Sequence, residues 1–406
     1  MAAFSRDGPH LIHPSPSVNQ MKTRLNFKNL NFQRGQPIFI FIMVVIICFF
    51  TGENFLSLHQ EDLIIPSSGL SQQLRLSHYL PTLANTPGNT RVFLFEGKEK
   101  GGNVLILGGT HPNEPAGFIA ATILIENLII KKGRLFIIPQ ANLSGFTHND
   151  AFEANPQRFS LPAQDGLRWF RYGSRLTNPI HQWPDPTTYI NPSSQKLAGP
   201  ESRNLNRAYP GSKEGSLTER VAWAIMQLLK TENIHLAIDL HEASPEYPVI
   251  NAIVFHERAA ELAAMTMMDL QMEGFDLRLE ASPPNLHGLS HREWGDLTST
   301  LAILLETANA SHGRLKGKPS PQLIVKGQDA NYVRAARLGR LFVPFDEEGI
   351  PLKRRVARHL ASIKSLITNL AALYPSQTIK FEYFPSPQLL LKNGFKDFLQ
   401  IASSSK

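Results

Sequence analysis

The chain has 406 residues, enough for one large α/β domain or two smaller ones burying roughly three quarters of the unfolded surface. Its single cysteine, Cys48, excludes an intramolecular disulfide framework and any thiolate cluster, so a bound metal must sit on His, Asp or Glu. The formal charge of +7 is concentrated at the start: residues 1–52 hold five basic residues against Asp7, which leaves +3 for the rest, and nucleic acid is not an implied partner.

Residues 37–50, PIFIFIMVVIICFF, form an uncharged apolar run that reaches 18 residues between Gly35 and Gly52. That length is at the short end of what spans a bilayer. Arg6, Lys22, Arg24, Lys28 and Arg34 precede it, and Glu53, Glu61 and Asp62 follow. The asymmetry predicts a single-pass membrane protein, with a basic cytoplasmic segment (1–35), an uncleaved signal anchor (36–52) and an extracytoplasmic body, periplasmic or extracellular. The alternatives are a buried core helix, an unusual cleaved signal or, given the β-branched and aromatic residues, a strand pair. Residues 53–89 lack a sustained period and are expected to be a lead-in.

From residue 90 the pattern is strand, strand, helix, strand. RVFLFEG (91–97), NVLILGG (103–109) and RLFIIPQ (134–140) are apolar runs, and PAGFIAATILIENLII between the last two is long enough for a helix. This is the βαβ signature of a parallel sheet covered on both faces. The stretch 141–215 is irregular, and so long a loop in a compact domain is usually functional. Ser216 with Glu219 forms a capping box opening a helix. HLAIDLH (235–241) reads as a buried strand, PVINAIVF (248–255) as its neighbour, 257–272 as a helix and LAILLET (301–307) as a central strand. Pro351 opens a last helix with the stripe Val356, Leu360, Ile363, Ile367 and Leu370. The main domain is expected over 90–375, with 376–406 as a C-terminal extension that includes a possible strand, TIKFEYF.

The chemistry-bearing residues stand at strand ends. His111 and Glu114, in GGTHPNEPAG, follow one strand and precede a helix, where ligand pairs assemble in parallel sheets. His241 ends another strand, and alternation turns Asp239 the same way while Leu240 and Glu242 point oppositely. Two histidines and a carboxylate suit one zinc with an open position for water. Glu306 closes a third buried strand, where a charge is expensive without a task. It reads as a general base, or else as the partner of an arginine from the irregular stretch. In SRNLNRAYPG (202–211), Arg207 can bind a substrate carboxylate, Asn206 adds a donor, and Arg203 is a second arginine candidate. His148, His181, His256, His287 and His291 read as solvated or structural. H-E-x-x-H, G-x-S-x-G and Walker motifs are absent.

The ordered motifs H-x-x-E, N-R, strand-end DLH and strand-end E resemble the zinc carboxypeptidase superfamily. GGTHPNEPAG, NLNRAYPG and DLHEA are most similar to its succinylglutamate desuccinylase and aspartoacylase branch. The resemblance covers roughly residues 90–310. It implies an α/β fold with a mixed, largely parallel sheet sandwiched between helices, one zinc on His111, Glu114 and His241, substrate binding by Asn206 and Arg207, and Glu306 as the catalytic carboxylate. A further arginine of the family falls on Arg175, on Arg203 or on neither. The implied function is a zinc-dependent hydrolase of an amide bond next to a carboxylate, acting on N-acyl amino acids. The alternatives are a metallocarboxypeptidase acting on peptides or cell-wall fragments, an esterase on the same zinc, and a binding protein of this fold without turnover. The insert 166–189 and the membrane anchor depart from the soluble deacylases of the branch.

Overall fold

A computed structural model describes residues 36–150 and 156–401. The basic segment expected to be cytoplasmic thus lies outside the described residues, as do 402–406 of the C-terminal extension. The chain divides into two compact units, Met1–Phe55 and Leu56–Lys406. Helix α1 (Gln36–Ser57) has no buried side chain, and its most apolar 18-residue window has a mean hydropathy of 2.3. At 1.5 Å per residue its 22 residues span roughly 33 Å, about the thickness of a bilayer's hydrocarbon core.

The second unit runs β1 (Leu70–Arg75), β2 (Arg91–Glu96), β3 (Glu99–Leu107), α2 (Pro115–Asn127) and β4 (Ile129–Ile138). The stretch expected to be irregular then contains two hairpins, β5 (Arg158–Ala163) with β6 (Gly166–Arg171) and β7 (Thr188–Ile190) with β8 (Lys196–Ala198), and the single turn α3 (Leu205–Ala208). Next come α4 (Leu217–Thr231), β9 (Leu236–Ala243), β10 (Ala252–Phe255), α5 (Ala260–Met272), β11 (Arg278–Ala281), α6 (Ser290–Leu297) and β12 (Leu301–Ala308). α7 (Pro321–Lys326), α8 (Ala330–Arg337), α9 (Leu352–Leu373), β13 (Lys380–Tyr383) and α10 (Pro387–Asn393) complete it.

Among the described residues nine strands form one mixed sheet in the order β1-β2-β4-β3-β9-β12-β10-β11, with β13 pairing β4. The centre, β4-β3-β9-β12, is parallel, and β1, β2, β10 and β13 join antiparallel. Two boundaries differ from expectation. The lead-in 53–89 supplies the edge strand β1, and the C-terminal extension supplies β13, so both belong to the sheet. PVINAIVF is also not the neighbour of HLAIDLH: β12 lies between them, because a parallel β9–β12 pair needs the crossover that β10 and α6 occupy.

Strand alternation sorts the core into two layers. Val104, Ile106, Leu236, Ile238, Leu240, Ile303 and Leu305 pack with α2, α5 and α9 on one face. Leu105, Leu107, Ala237 and Ala302 face α4 and α6 on the other. Period two then places Asp239, His241 and Glu306 on that second face, at the carboxyl ends of their strands. The Ser216–Glu219 capping box is formed at the start of α4. α2 is apolar all round and buried from Pro115 to Glu126, as expected of a helix inside the core. Its close seat on the sheet depends on glycine: a Cβ on Gly108 would stand 2.8 Å from the Gly117 carbonyl oxygen, and Gly109 has a φ of +67°.

Candidate active site

β3 ends at Leu107, and the Gly108–Gly109 turn brings His111 and Glu114 over the ends of the parallel strands. Glu114, the N-cap of α2, is the hub. Its Oε1 lies 2.7 Å from His111 Nδ1, and its Oε2 lies 2.9 Å from His241 Nδ1 and accepts the Glu242 backbone N–H at 3.0 Å. The two imidazole centroids are 4.8 Å apart, and all three residues are buried. The rear nitrogens have their own partners. His111 Nε2 is 3.0 Å from Asn204 Oδ1, and His241 Nε2 is 2.9 Å from Asp239 Oδ2, though without the alignment of a hydrogen bond. Asp239 is held in turn by the hydroxyls of Thr110 at 2.8 Å and Ser290 at 2.5 Å.

This donor set fits a metal ion. If His111 Nε2 donates to Asn204, a neutral ring presents the Nδ1 lone pair to an acidic oxygen 2.7 Å away, an opposition that a cation between them relieves. Both His241 nitrogens likewise face carboxylates. His111 and His241, each with an oxygen partner on the far nitrogen, show the pattern that fixes tautomer and orientation in zinc sites. Burial, with Arg175 adding to it, pushes the His111 pKa down to about 4, which favours the neutral ligand form. For His241 burial works the same way, but the carboxylates of Asp239 and Glu114 outweigh it and raise the pKa well above the usual value.

Glu306 is the register partner of His241 across the β9–β12 ladder. Its Oε2 is buried and has no hydrogen-bond partner. Among the described residues no arginine forms an ion pair with it, as the alternative reading of this carboxylate would require. Burial, with Glu114 and Asp239 adding to it against His241 and Arg175, raises its pKa to about 8.

The irregular stretch supplies the arginines. Arg175 Nη1 lies 3.2 Å from His111 Nδ1 and 3.3 Å from Glu114 Oε1, so this is the guanidinium at the ligand cluster. Arg203 is engaged elsewhere, forked onto Asp185 at 2.7 and 2.9 Å and donating to the Thr177 carbonyl oxygen. Arg207 donates to the Asn206 carbonyl oxygen, with its Nε 3.9 Å from Glu201, and burial lowers its pKa. Asn206 Oδ1 accepts the Ser290 N–H at 2.9 Å, which ties α3 to the start of α6. A cleft of about 820 Å³ opens beside Arg175 and Asn113, with Tyr247, Arg314 and Lys316 in its walls.

Two of the histidines read as bland have carboxylate neighbours after all. His256 groups with Glu257 and Asp296, and His287 with Glu293 and Asp296. Arg292 already forks onto Glu257 and Asp296, and Glu293 accepts from Ser193 and from the Gly288 N–H, so these carboxylates are compensated. Asn204 went unread in the sequence although it stands two residues before Asn206. Ser290 and Thr110 gave no sequence signal, because their contact with Asp239 spans 51 and 129 residues.

No protein-family model and no curated protein sequence matches the chain. Solved structures similar to it include a succinylglutamate desuccinylase/aspartoacylase from Rhodobacter sphaeroides, at 14% identity and a TM-score of 0.36, covering 56% of this chain and 54% of that one. The apo cell shape determinant protein Csd4 from Helicobacter pylori matches at 12% and 0.43, covering 74% and 58%. A metallo-carboxypeptidase from Burkholderia cenocepacia matches at 11% and 0.43, covering 79% and 68%. The chain thus spans little more than half the length of the first two. The likeness is one of general architecture, and what the site can do rests on its own residues.

Proposed function

We propose that this chain is a zinc-dependent hydrolase cleaving an amide bond next to a carboxylate, in the manner of an N-acyl amino acid deacylase. The observation that carries this reading is the convergence of His111, Glu114 and His241 on one point beside a buried carboxylate, Glu306, that has an unpartnered oxygen. Zinc bound by the three ligands would polarise a carbonyl and lower the pKa of water to about 7. Glu306 takes the proton from the attacking water and returns it to the leaving amine. A carboxylate with a raised pKa is suited to holding that proton between the two steps.

Arg207 and the Nδ2 of Asn206 bind the substrate carboxylate, while Arg175 donates to the oxygen on which charge develops. Arg203, forked onto Asp185, supports the loop and does not meet the substrate. The cleft favours acidic substrates. Arg175 and Arg314 line it, and among the described residues its carboxylate, Glu246, is already bound by the Tyr332 hydroxyl and the Arg314 N–H, both at 2.7 Å. The size of the cleft, about 820 Å³, favours as second reading a metallocarboxypeptidase acting on peptides or cell-wall fragments. Helix α1 anchors the chain as a single pass, N-terminus in the cytoplasm and hydrolase outside, in keeping with the five basic residues before it.

The test is elemental analysis of the purified chain together with release of amino groups from a panel of N-acyl amino acids and short peptides, with and without chelator. One zinc per chain and chelator-sensitive release are expected. Zinc without turnover on any substrate would favour a binding protein, and a chain that holds no zinc would remove the ligand assignment.

A further inference from the structure

His111 can serve a metal through Nδ1 only if its proton resides on Nε2, and a neutral imidazole carries just one proton. At Nδ1 the neighbours pull both ways, since Glu114 Oε1 at 2.7 Å favours a proton there and Arg175 Nη1 at 3.2 Å a bare nitrogen; the residue facing Nε2 is Asn204, at 3.0 Å. An asparagine is an ambiguous partner. Its oxygen accepts from an Nε2–H, but turned over, its NH2 would donate to a bare Nε2 and drive the proton to Nδ1. The metal-facing atom would then be closed. A carboxylate, with two equivalent oxygens, poses no such choice.

Two contacts hold the amide in one sense. Asn204 Nδ2 donates to Glu201 Oε2 at 2.7 Å, and Asn204 Oδ1 also accepts the Asn206 backbone N–H at 3.0 Å. Turning the amide would set oxygen against the Glu201 carboxylate and NH2 against the Asn206 N–H. Asn204 is completely buried, so its own amide atoms have no water to turn to once either bond is lost. The Glu201 side chain is a third exposed, and it reaches His111 through the Asn204 amide.

We propose that Glu201 is a positioning residue for the metal site: it fixes the sense of the Asn204 amide, and Asn204 thereby selects the Nε2–H tautomer of His111. This rests on the reading of His111 as a ligand and adds the group that prepares it. Glu201 also lies 3.9 Å from Arg207, so turnover would mix two effects, and the readouts are metal affinity and tautomer.

In the full chain in detergent, the zinc dissociation constant is measured by competition with a chromophoric chelator for the wild type, Glu201→Leu, Glu201→Gln and the double variant Glu201→Leu/Asn204→Asp. Leu leaves the amide without one of its orienting partners, and affinity falls about tenfold. Gln keeps an acceptor oxygen and stays within about twofold of the wild type, since orientation and not charge is at stake. The double variant recovers wild-type affinity, because a carboxylate at position 204 needs no orienting. Equal losses in the Leu and Gln variants, no loss in the Leu variant, or a double variant as weak as Glu201→Leu would each overturn the proposal. If the wild type binds no zinc, the ligand reading fails, and the tautomer still decides on Glu201. Histidine 15N NMR on the chelator-treated chain is expected to show Nε2–H at His111 in the wild type and an Nδ1–H population in Glu201→Leu. An identical tautomer in both would refute the role.

Discussion

His241 and Glu306 take their places from a ladder. They are register partners on adjacent parallel strands, and the backbone bonds that pair β9 with β12 fix both at once. Arg175, Asn204 and Arg207 belong to the stretch 141–215, whose described residues add no strand to the large sheet, and individual hydrogen bonds hold them: Asn204 by the Glu201 side chain, Arg207 by the Asn206 backbone carbonyl, and the neighbouring Arg203 by the Asp185 side chain. The difference is one of redundancy. A strand-end group keeps its position when a neighbouring side chain is lost, whereas a loop group keeps it only while a particular partner remains.

The sharpest probe of the strand-end half is Glu306→Gln. Turnover is expected to fall by about 10² to 10⁴ while zinc content stays unchanged, because the amide cannot take a proton from water and the ladder holds its place. Steady-state rates with elemental analysis decide it, and an unchanged rate would remove Glu306 from the mechanism.

A neighbouring strand-end carboxylate should behave in the opposite way. Glu242 points to the other face, where it accepts from Arg355 at 2.5 Å and from the Ala116 N–H, and both residues of the ion pair are buried. Arg355→Leu strands that carboxylate and should cost about 3–5 kcal/mol in urea unfolding, much of it recovered in Arg355→Leu/Glu242→Leu. Equal stability of all three proteins would contradict the account.

Within the loop half the comparison is between two arginines. Arg175→Ala should lower turnover by about 10²-fold through the loss of a donor at the reacting oxygen. Arg203→Ala should leave turnover near the wild-type value and loosen the loop instead, as read by faster proteolysis. Similar kinetic losses in both would undo the distinction drawn from their partners.

The smallest effect concerns the helix layer behind the sheet. Burial, with Arg358 and His241 adding to it, pushes the pKa of His359 in α9 down to about 3. The unfolded chain therefore binds a proton that the folded one refuses, so stability is full above about pH 6.5 and is lost as pH falls. Between pH 7 and pH 5 this one residue should account for about 2 kcal/mol, so urea unfolding of His359→Gln should be less acid-sensitive by that amount.

Much of the architecture was legible because it is local. Apolar runs marked β2, β3, β4, β9 and β12, and the capping box and Pro351 marked the starts of α4 and α9. Period-two alternation read Asp239 and His241 onto one face. The C-terminal run TIKFEYF did become β13, although its place beside β4 was not legible, and the edge strand β1 was missed, since LSQQLR lacks an apolar run and its backbone is ordered by a partner elsewhere in the chain. The irregular stretch was read as functional, but its two hairpins went unseen.

By itself, then, the sequence determined which side chains stand at the ends of buried strands, because strand periodicity and the expense of burying charge act within a few residues. Only the tertiary structure decided which arginine reaches the ligands, which carboxylate keeps an unpartnered oxygen, and that Asn204 stands behind His111 with Glu201 behind it. Apart from the three-residue step from Glu201 to Asn204, those are contacts between segments 61 to 93 residues apart. They depend on how loops lie over the sheet, and no local period encodes that.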